Sequence, residues 1–279
     1  MKKKLIAVAV AGTLAAPIAI ADVAVSGSAR GGVKYNGSEW TIGNAGSRLR
    51  FKASGDLGND QSVYMAYEFG VDLGKGSIEA GPTNRLTYVG IRGGWGSLSL
   101  GTQWSTLFNT VGTFIDKSII HGGLGYWGNG GGQYRMANSV AFTTQAGPLW
   151  AMADAQLSEG GGNVDRSTIG GTLKLGNVTL GAGYQDNSST DFTGVGAAMH
   201  LAGIALSGGW TKIATVGSGY AVSANLADIT LSFEDSDSVP DPGIGYHHKI
   251  GIGRGAKVII ELVNDGTNTK GAGILRMDF

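Results

Sequence analysis

The chain has 279 residues, no cysteine, and 21 basic residues balanced by 21 acidic ones. It therefore has neither a disulfide framework nor the strongly basic surface of a nucleic-acid binder. Fifty glycines against five prolines exceed ordinary usage, but no G-X-Y period marks a collagen, and 42% hydrophobic residues are too many for disorder.

Residues 1–21 read as an export signal. Lys2, Lys3 and Lys4 precede a mostly apolar run, and Ala19-Ile20-Ala21 is a small-x-small cleavage site. The expected mature chain, 22–279, starts near Asp22 and carries 18 basic against 21 acidic residues. No later stretch offers the ~20 apolar residues of a membrane helix.

From Asp22 onward the chain alternates with period two. Ser26, Ser28 and Arg30 share one face, with Val25, Gly27 and Ala29 on the other. Arg48, Arg50, Lys52 and Ser54 alternate with Leu49, Phe51 and Ala53. A strand charged on one face and apolar on the other has water on one side and hydrocarbon on the other. The pattern continues through Val63, Met65, Tyr67 and Phe69, then Met136, Val140 and Phe142, then Ile229, Leu231 and Phe233. It ends with Leu275, Met277 and Phe279 opposite Arg276 and Asp278.

The connections alternate as well. Very short turns at 55–60, 93–96, 146–148, 176–177, 202–203, 227–228 and 255–256 separate longer, more polar loops. Seven short turns and eight longer loops require about 16 strands, or fourteen if two weak runs pair differently. Short turns at one rim, long loops at the other and an even strand count form the outer-membrane β-barrel pattern. Without a membrane helix, a closed barrel is the remaining way to pair every backbone group in lipid. Sixteen strands leave an aqueous channel.

The third long loop, 105–133, is anomalous: STLFNTVGTFIDKSIIHGGLGYWGNGGGQ. Loops of this length are usually functional or disordered. Leu107, Phe108, Phe114, Ile115, Ile119 and Ile120 give it too much apolar surface to stay in water. The expectation is that it folds into the lumen and narrows it. Arg48, Arg50 and Lys52, with Arg30, Lys34 and Arg135, would form a basic wall that attracts anions. Asp116 would face that wall across the constriction, or else pair locally with Lys117 and only hold the loop in place. Strand glycines are expected on the outer face, where small residues allow close packing.

Ser47-Arg48-Leu49-Arg50-Phe51-Lys52-Ala53-Ser54-Gly55-Asp56-Leu57-Gly58 resembles the Gram-negative general porins, as do Tyr88-Val89-Gly90-Ile91-Arg92-Gly93-Gly94-Trp95-Gly96 and Leu98-Ser99-Leu100-Gly101-Thr102-Gln103. The resemblance implies a trimeric 16-stranded antiparallel barrel whose third external loop forms a constriction. It also implies that the terminal Phe279 is an assembly signal. Two departures stand out: Thr102 occupies a place where the family commonly has a pore-lining arginine, and the loop brings only Asp116, beside Lys117, with His121 further on.

Other chemistry is weakly signalled. His247 and His248 are strand neighbours that point to opposite faces, so a shared metal is not expected. Gly251-Ile252-Gly253-Arg254-Gly255-Ala256 fits a dinucleotide pattern, but a strand rather than a helix follows it. No Ser/His/Asp set stands in a recognisable elbow. Tyr35, Tyr67, Phe69, Trp104, Phe142, Tyr184 and Phe279 fall near strand ends, as interfacial girdles require.

The expected function is an outer-membrane diffusion channel for ions and small hydrophilic solutes, with weak anion preference and no cofactor or metal. Its expected partners are further copies of itself, outer-membrane lipid and lipopolysaccharide. The alternatives are a solute-selective channel with a binding site at the constriction and, more remotely, an outer-membrane barrel enzyme.

Overall fold

The computed structural model describes residues 22–78, 85–121, 134–158, 161–187 and 190–279. The expected export signal, 1–21, and the second part of the long loop, 122–133, lie outside the described residues.

The strands are β1 (Asp22–Tyr35), β2 (Trp40–Asn44), β3 (Ser47–Gly58), β4 (Gln61–Asp72), β5 (Ser77–Ile78) and β6 (Leu86–Gly93). They continue as β7 (Gly96–Trp104), β8 (Arg135–Ala146), β9 (Leu149–Leu157), β10 (Val164–Leu175), β11 (Val178–Asn187) and β12 (Phe192–Leu201). The last six are β13 (Ile204–Ile213), β14 (Gly217–Leu226), β15 (Ile229–Ser236), β16 (Gly243–Gly253), β17 (Ala256–Asn264) and β18 (Thr269–Asp278).

Each pairs antiparallel with its neighbours, and β1 pairs with β18, closing the sheet. β2 continues the line of β3 along β1, and two-residue β5 extends the edge of β4. Sixteen staves result, with two short additions at the long-loop end. The two weak runs in the sequence are full staves, β6 and β9, so the count is sixteen rather than fourteen.

Cross-strand register fixes the faces. Ser28 pairs with Arg48, Arg50 with Glu68, His247 with Glu261 and Arg30 with Arg276, all on the inner face. Val25, Leu100, Val195, Leu262 and Leu275 stand outward and exposed. Closure satisfies the backbone without help from solvent, which is what lipid demands. The short turns use left-handed backbone: Asn59-Asp60, Ala202-Gly203 and Arg254-Gly255 all have positive φ, as tight hairpins require. The last of these is the dinucleotide-like motif, a hairpin between β16 and β17.

The long loop enters the lumen. After Ser105 the chain makes a π-helical turn, Phe108–Gly112, and an α-helical turn, Thr113–Ile115. Leu107, Val111, Phe114 and Ile115 bury against Phe192, Ile213 and Ala221 of the barrel wall. Each buried side chain of this size contributes roughly 1.5–3 kcal/mol.

The seat is made of glycine. A Cβ at Gly181 would lie 1.9 Å from the Thr110 carbonyl oxygen, and one at Gly196 would lie 2.4 Å from the Phe114 ring. Gly170, Gly183, Gly194 and Gly209 are approached within 2.8–3.0 Å by Thr110, Val111 and Ile115. The expectation that strand glycines face outward is thus corrected for six of them. They point inward because the helical turns would otherwise have no room.

The described part of the loop, 105–121, is fastened at both ends. The Thr106 amide donates to buried Asp154 of β9. Across the lumen, Glu261 of β17 accepts the amides of Ile119 at 2.7 Å, Ile120 at 3.1 Å and His121 at 2.6 Å. His247 Nδ1 lies 3.1 Å from the same carboxylate. Glu261 is 0% exposed, and burial of its charge is sustained by these charge-assisted bonds. Ile119 and Ile120 then pack on Ala45, Ile259, Ala272 and Ile274.

The two attachments are separable. Gly181→Val overpacks the seat by about 1–3 kcal/mol; hydrogen exchange of the amides in 106–115 should accelerate by about tenfold or more. Glu261→Gln removes the charge from the far fastening at a cost of about 1.5–3 kcal/mol; exchange at 119–121 should accelerate while that at 106–115 stays protected. Mass-spectrometric exchange on the folded barrel reads both.

Candidate functional site

Where the loop crosses the barrel it encloses a lumenal cavity of about 410 Å3. One side is guanidinium. Arg30 of β1 and Arg48 of β3 line it, together with Arg85, just before β6, and Arg135 at the start of β8. Arg50 lies beside them on β3. Arg30 is buried, with its Nε donating to Ser28 Oγ at 3.0 Å, and the Arg48 Nε donates to the Gly46 carbonyl at 3.4 Å. Glu68 of β4, itself buried, accepts from both Arg50 and Arg85 and fixes those two. On this side one carboxylate, bonded to two of them, stands among five guanidinium groups.

The facing side belongs to the loop. Asp116, Ser118 and Ile119 line the same cavity, with Phe108 and Tyr134 at the loop's two ends. Asp116 is hydrogen-bonded to the Tyr134 side chain. Burial pushes its carboxyl up to about 6, against the counteracting charges of Lys117 and Arg48. Lys117 turns away, its Nζ donating to the Thr113 carbonyl at 2.8 Å. Trp104 stacks on Phe108 at 4.5 Å, Phe108 meets Tyr134 at 4.9 Å, and the Arg135 guanidinium lies 5.4 Å from the Trp104 ring centre.

Of the residues singled out in the sequence, Arg30, Arg48, Arg135 and Asp116 converge on this cavity, and Arg50 adjoins it. Lys52 does not reach it. It lies nearer the short-turn rim, in a second cavity with Tyr64, Tyr88 and Arg92. Thr102 is a correction: its register partner is Thr87, and it falls on the outward side of β7 with Leu98 and Leu100. Ser99 and Gln103 take the inward positions, where Ser99 donates to Gln103 and Gln103 donates to Ser139. His121 serves through its backbone amide at Glu261 rather than through a side chain in the cavity. Trp104, expected in an interfacial girdle, is instead part of the cavity wall.

Phe279 pairs with Gly27, its carbonyl accepting at 2.8 Å and its amide donating at 3.2 Å, and so sits at the barrel's seam. His247 and His248 are on opposite faces, bonded to Glu261 and near the Tyr246 hydroxyl respectively.

Sequence reading passed over Arg85, Glu68 as its clamp, and Glu261 as the loop's far anchor. Glu261 carried a signal, since alternation between Ile260 and Leu262 turns it inward. Arg85 carried none, because it precedes its strand and no periodicity orients it.

The family model for Gram-negative porins matches residues 6–238. Over 124 residues the chain is 34% identical to the major outer membrane protein P.IB of Neisseria gonorrhoeae, covering 39% of this chain and 34% of that protein. The corresponding protein of Neisseria meningitidis serogroup B is 32% identical over 124 residues, covering 36% of its length. The matched stretch thus spans about a third of these curated relatives. Among solved structures, the anion-selective porin from Comamonas acidovorans superposes with a TM-score of 0.75 at 16% identity, covering 93% of this chain and all of that one. OmpF of Salmonella typhi, in complex with daunomycin, gives 0.74 at 12% identity, covering 92% and 97%. The trimer form of Vibrio cholerae OmpT gives 0.71 at 14%, covering 93% and 99%. With a closed sixteen-stave barrel and a loop docked across its lumen, the chain belongs to the Gram-negative porins, β-barrels of the bacterial outer membrane.

Proposed function

We propose that the protein is a passive diffusion channel for ions and small hydrophilic solutes, narrowed by its third long loop and weakly selective for anions. The observation that carries this reading is the composition of the constriction: Arg30, Arg48, Arg50, Arg85 and Arg135 against Glu68 and Asp116. Two buried carboxylates elsewhere on the inner wall serve as fasteners. Asp154 accepts the Thr106 amide at the loop's start, and Glu261 accepts the amides of Ile119 and His121 across the lumen. At the constriction guanidinium groups outnumber carboxylates, and low-dielectric walls focus the resulting field.

A homotrimer is the assembly this reading adopts, supported by the trimer form of the Vibrio cholerae neighbour. Outer-membrane lipid and lipopolysaccharide would surround it, residues 1–21 would direct export, and Phe279 would mark the chain for barrel assembly. In planar bilayers the purified protein should give stepwise ohmic conductance. Under a potassium chloride gradient the reversal potential should show chloride preference, and Arg30→Gln with Arg48→Gln should reduce it. Cation preference in the unaltered protein would refute the selectivity.

Asp116 adds a pH dependence whose sign follows from its raised titration near 6. Above that value the carboxylate is charged and offsets the arginines; below it the group is neutral and the constriction becomes more positive. A unit charge roughly 8 Å from an ion in water contributes about 0.5 kcal/mol, a factor of about two. The charge acts in opposite senses on the two ions, so acidifying from pH 7.5 to pH 5 should raise the chloride-to-potassium permeability ratio by about fourfold. Asp116→Asn should hold the acid value at both pH values.

A further inference from the structure

The constriction cavity is more than a ring of charge. Three of its walls are aromatic and contiguous: Trp104 stacked on Phe108 with planes 23° apart, and Phe108 against Tyr134. Arg135 closes one end of this ladder over the Trp104 face. Arg30, Arg48 and Arg85 bring further guanidinium groups to the same space. At the loop side, Ser118 Oγ is buried and has no hydrogen-bond partner, while the Asp116 carboxyl lies two residues before it on the same lining.

From this juxtaposition we infer that the constriction is a binding site for hydroxylated aromatic carboxylates, a solute class this channel takes up through a saturable step. The inference rests on the channel reading above and narrows it. A carboxylate satisfies the guanidinium groups, which offer planar forked donors matched to it. A planar ring then occupies the aromatic ladder, where offset or edge contacts favour π systems over saturated rings of equal bulk. A ring hydroxyl reaches Ser118 and Asp116, giving the orphaned hydroxyl a partner. A small inorganic anion would use only the arginines, and an uncharged sugar would leave them unmatched. The cavity, about 410 Å3, has room for one such molecule together with water.

Single-channel recording with 4-hydroxybenzoate as the probe tests this. The comparison solutes are benzoate, which lacks the hydroxyl; cyclohexanecarboxylate, of the same charge and similar bulk but without a π face; and phenol, which lacks the charge. Block is measured as a fraction of each protein's own open current. The expected half-blocking concentration of 4-hydroxybenzoate is about tenfold below that of cyclohexanecarboxylate; benzoate should fall between them and phenol should not block. Phe108→Leu should bring the first and the saturated analogue to within about twofold, and Arg135→Gln should weaken all three carboxylates together. Equal block by cyclohexanecarboxylate in the unaltered protein, or conductance with no saturable block, would overturn the site and leave the channel standing. A folded, inserted protein that never conducts would overturn the channel reading and this site with it.

Discussion

Three consecutive backbone amides of the long loop converge on one buried carboxylate, Glu261, on the wall opposite the one from which the loop springs. Amides carried into a barrel lose their water and must find acceptors. By supplying them from the far wall, the protein converts a flexible excursion into a bridge. The near pier is of another kind: apolar side chains on a floor of glycine, with Asp154 catching the first amide. One pier is directional and electrostatic, the other is packing. Between them the position of Asp116, Lys117 and Ser118 is set, and with it the distance from the loop to the arginine wall.

This division of labour shapes the electrostatics. The inner wall is not short of acidic residues, but Glu261 and Asp154 are occupied by amides and Glu68 by two arginines. At the constriction itself five guanidinium groups stand against Glu68 and Asp116. Charge balance over the whole sequence therefore says little about the lumen, because acids and bases are used differently once folded. Near-neutral composition coexists with a basic constriction.

The barrel was legible because its cause is periodic. Water inside and lipid outside force alternation on every stave, and Arg48, Arg50 and Lys52 against Leu49, Phe51 and Ala53 could hardly read otherwise. The entry of the loop was legible from its apolar load. Its seat was not: a glycine has no side chain to assign to a face, so Gly181 and Gly196 looked like outward spacers until the register placed them inside. Thr102 was misplaced by analogy with a family position, whereas its own alternation with Leu98 and Leu100 would have turned it outward. Trp104 escaped the pattern because it sits where a strand gives way to the loop, and period-two reasoning stops at strand ends. Arg85 lies just before its strand and fails for the same reason.

The pairing of Gly27 with Phe279 has a consequence for assembly. The seam joins β1 to β18, the stretches most distant along the chain, so the ring cannot be sealed until every intervening stave is in place. Up to that moment the growing sheet carries two unpaired edges, each able to take a strand from a neighbour. The entropy of bringing such distant segments together grows only slowly with the length between them. The difficulty is therefore less one of loop closure than of shielding two open borders while the sheet is built. A protein of this design depends on surroundings that cover those borders until its last strand arrives.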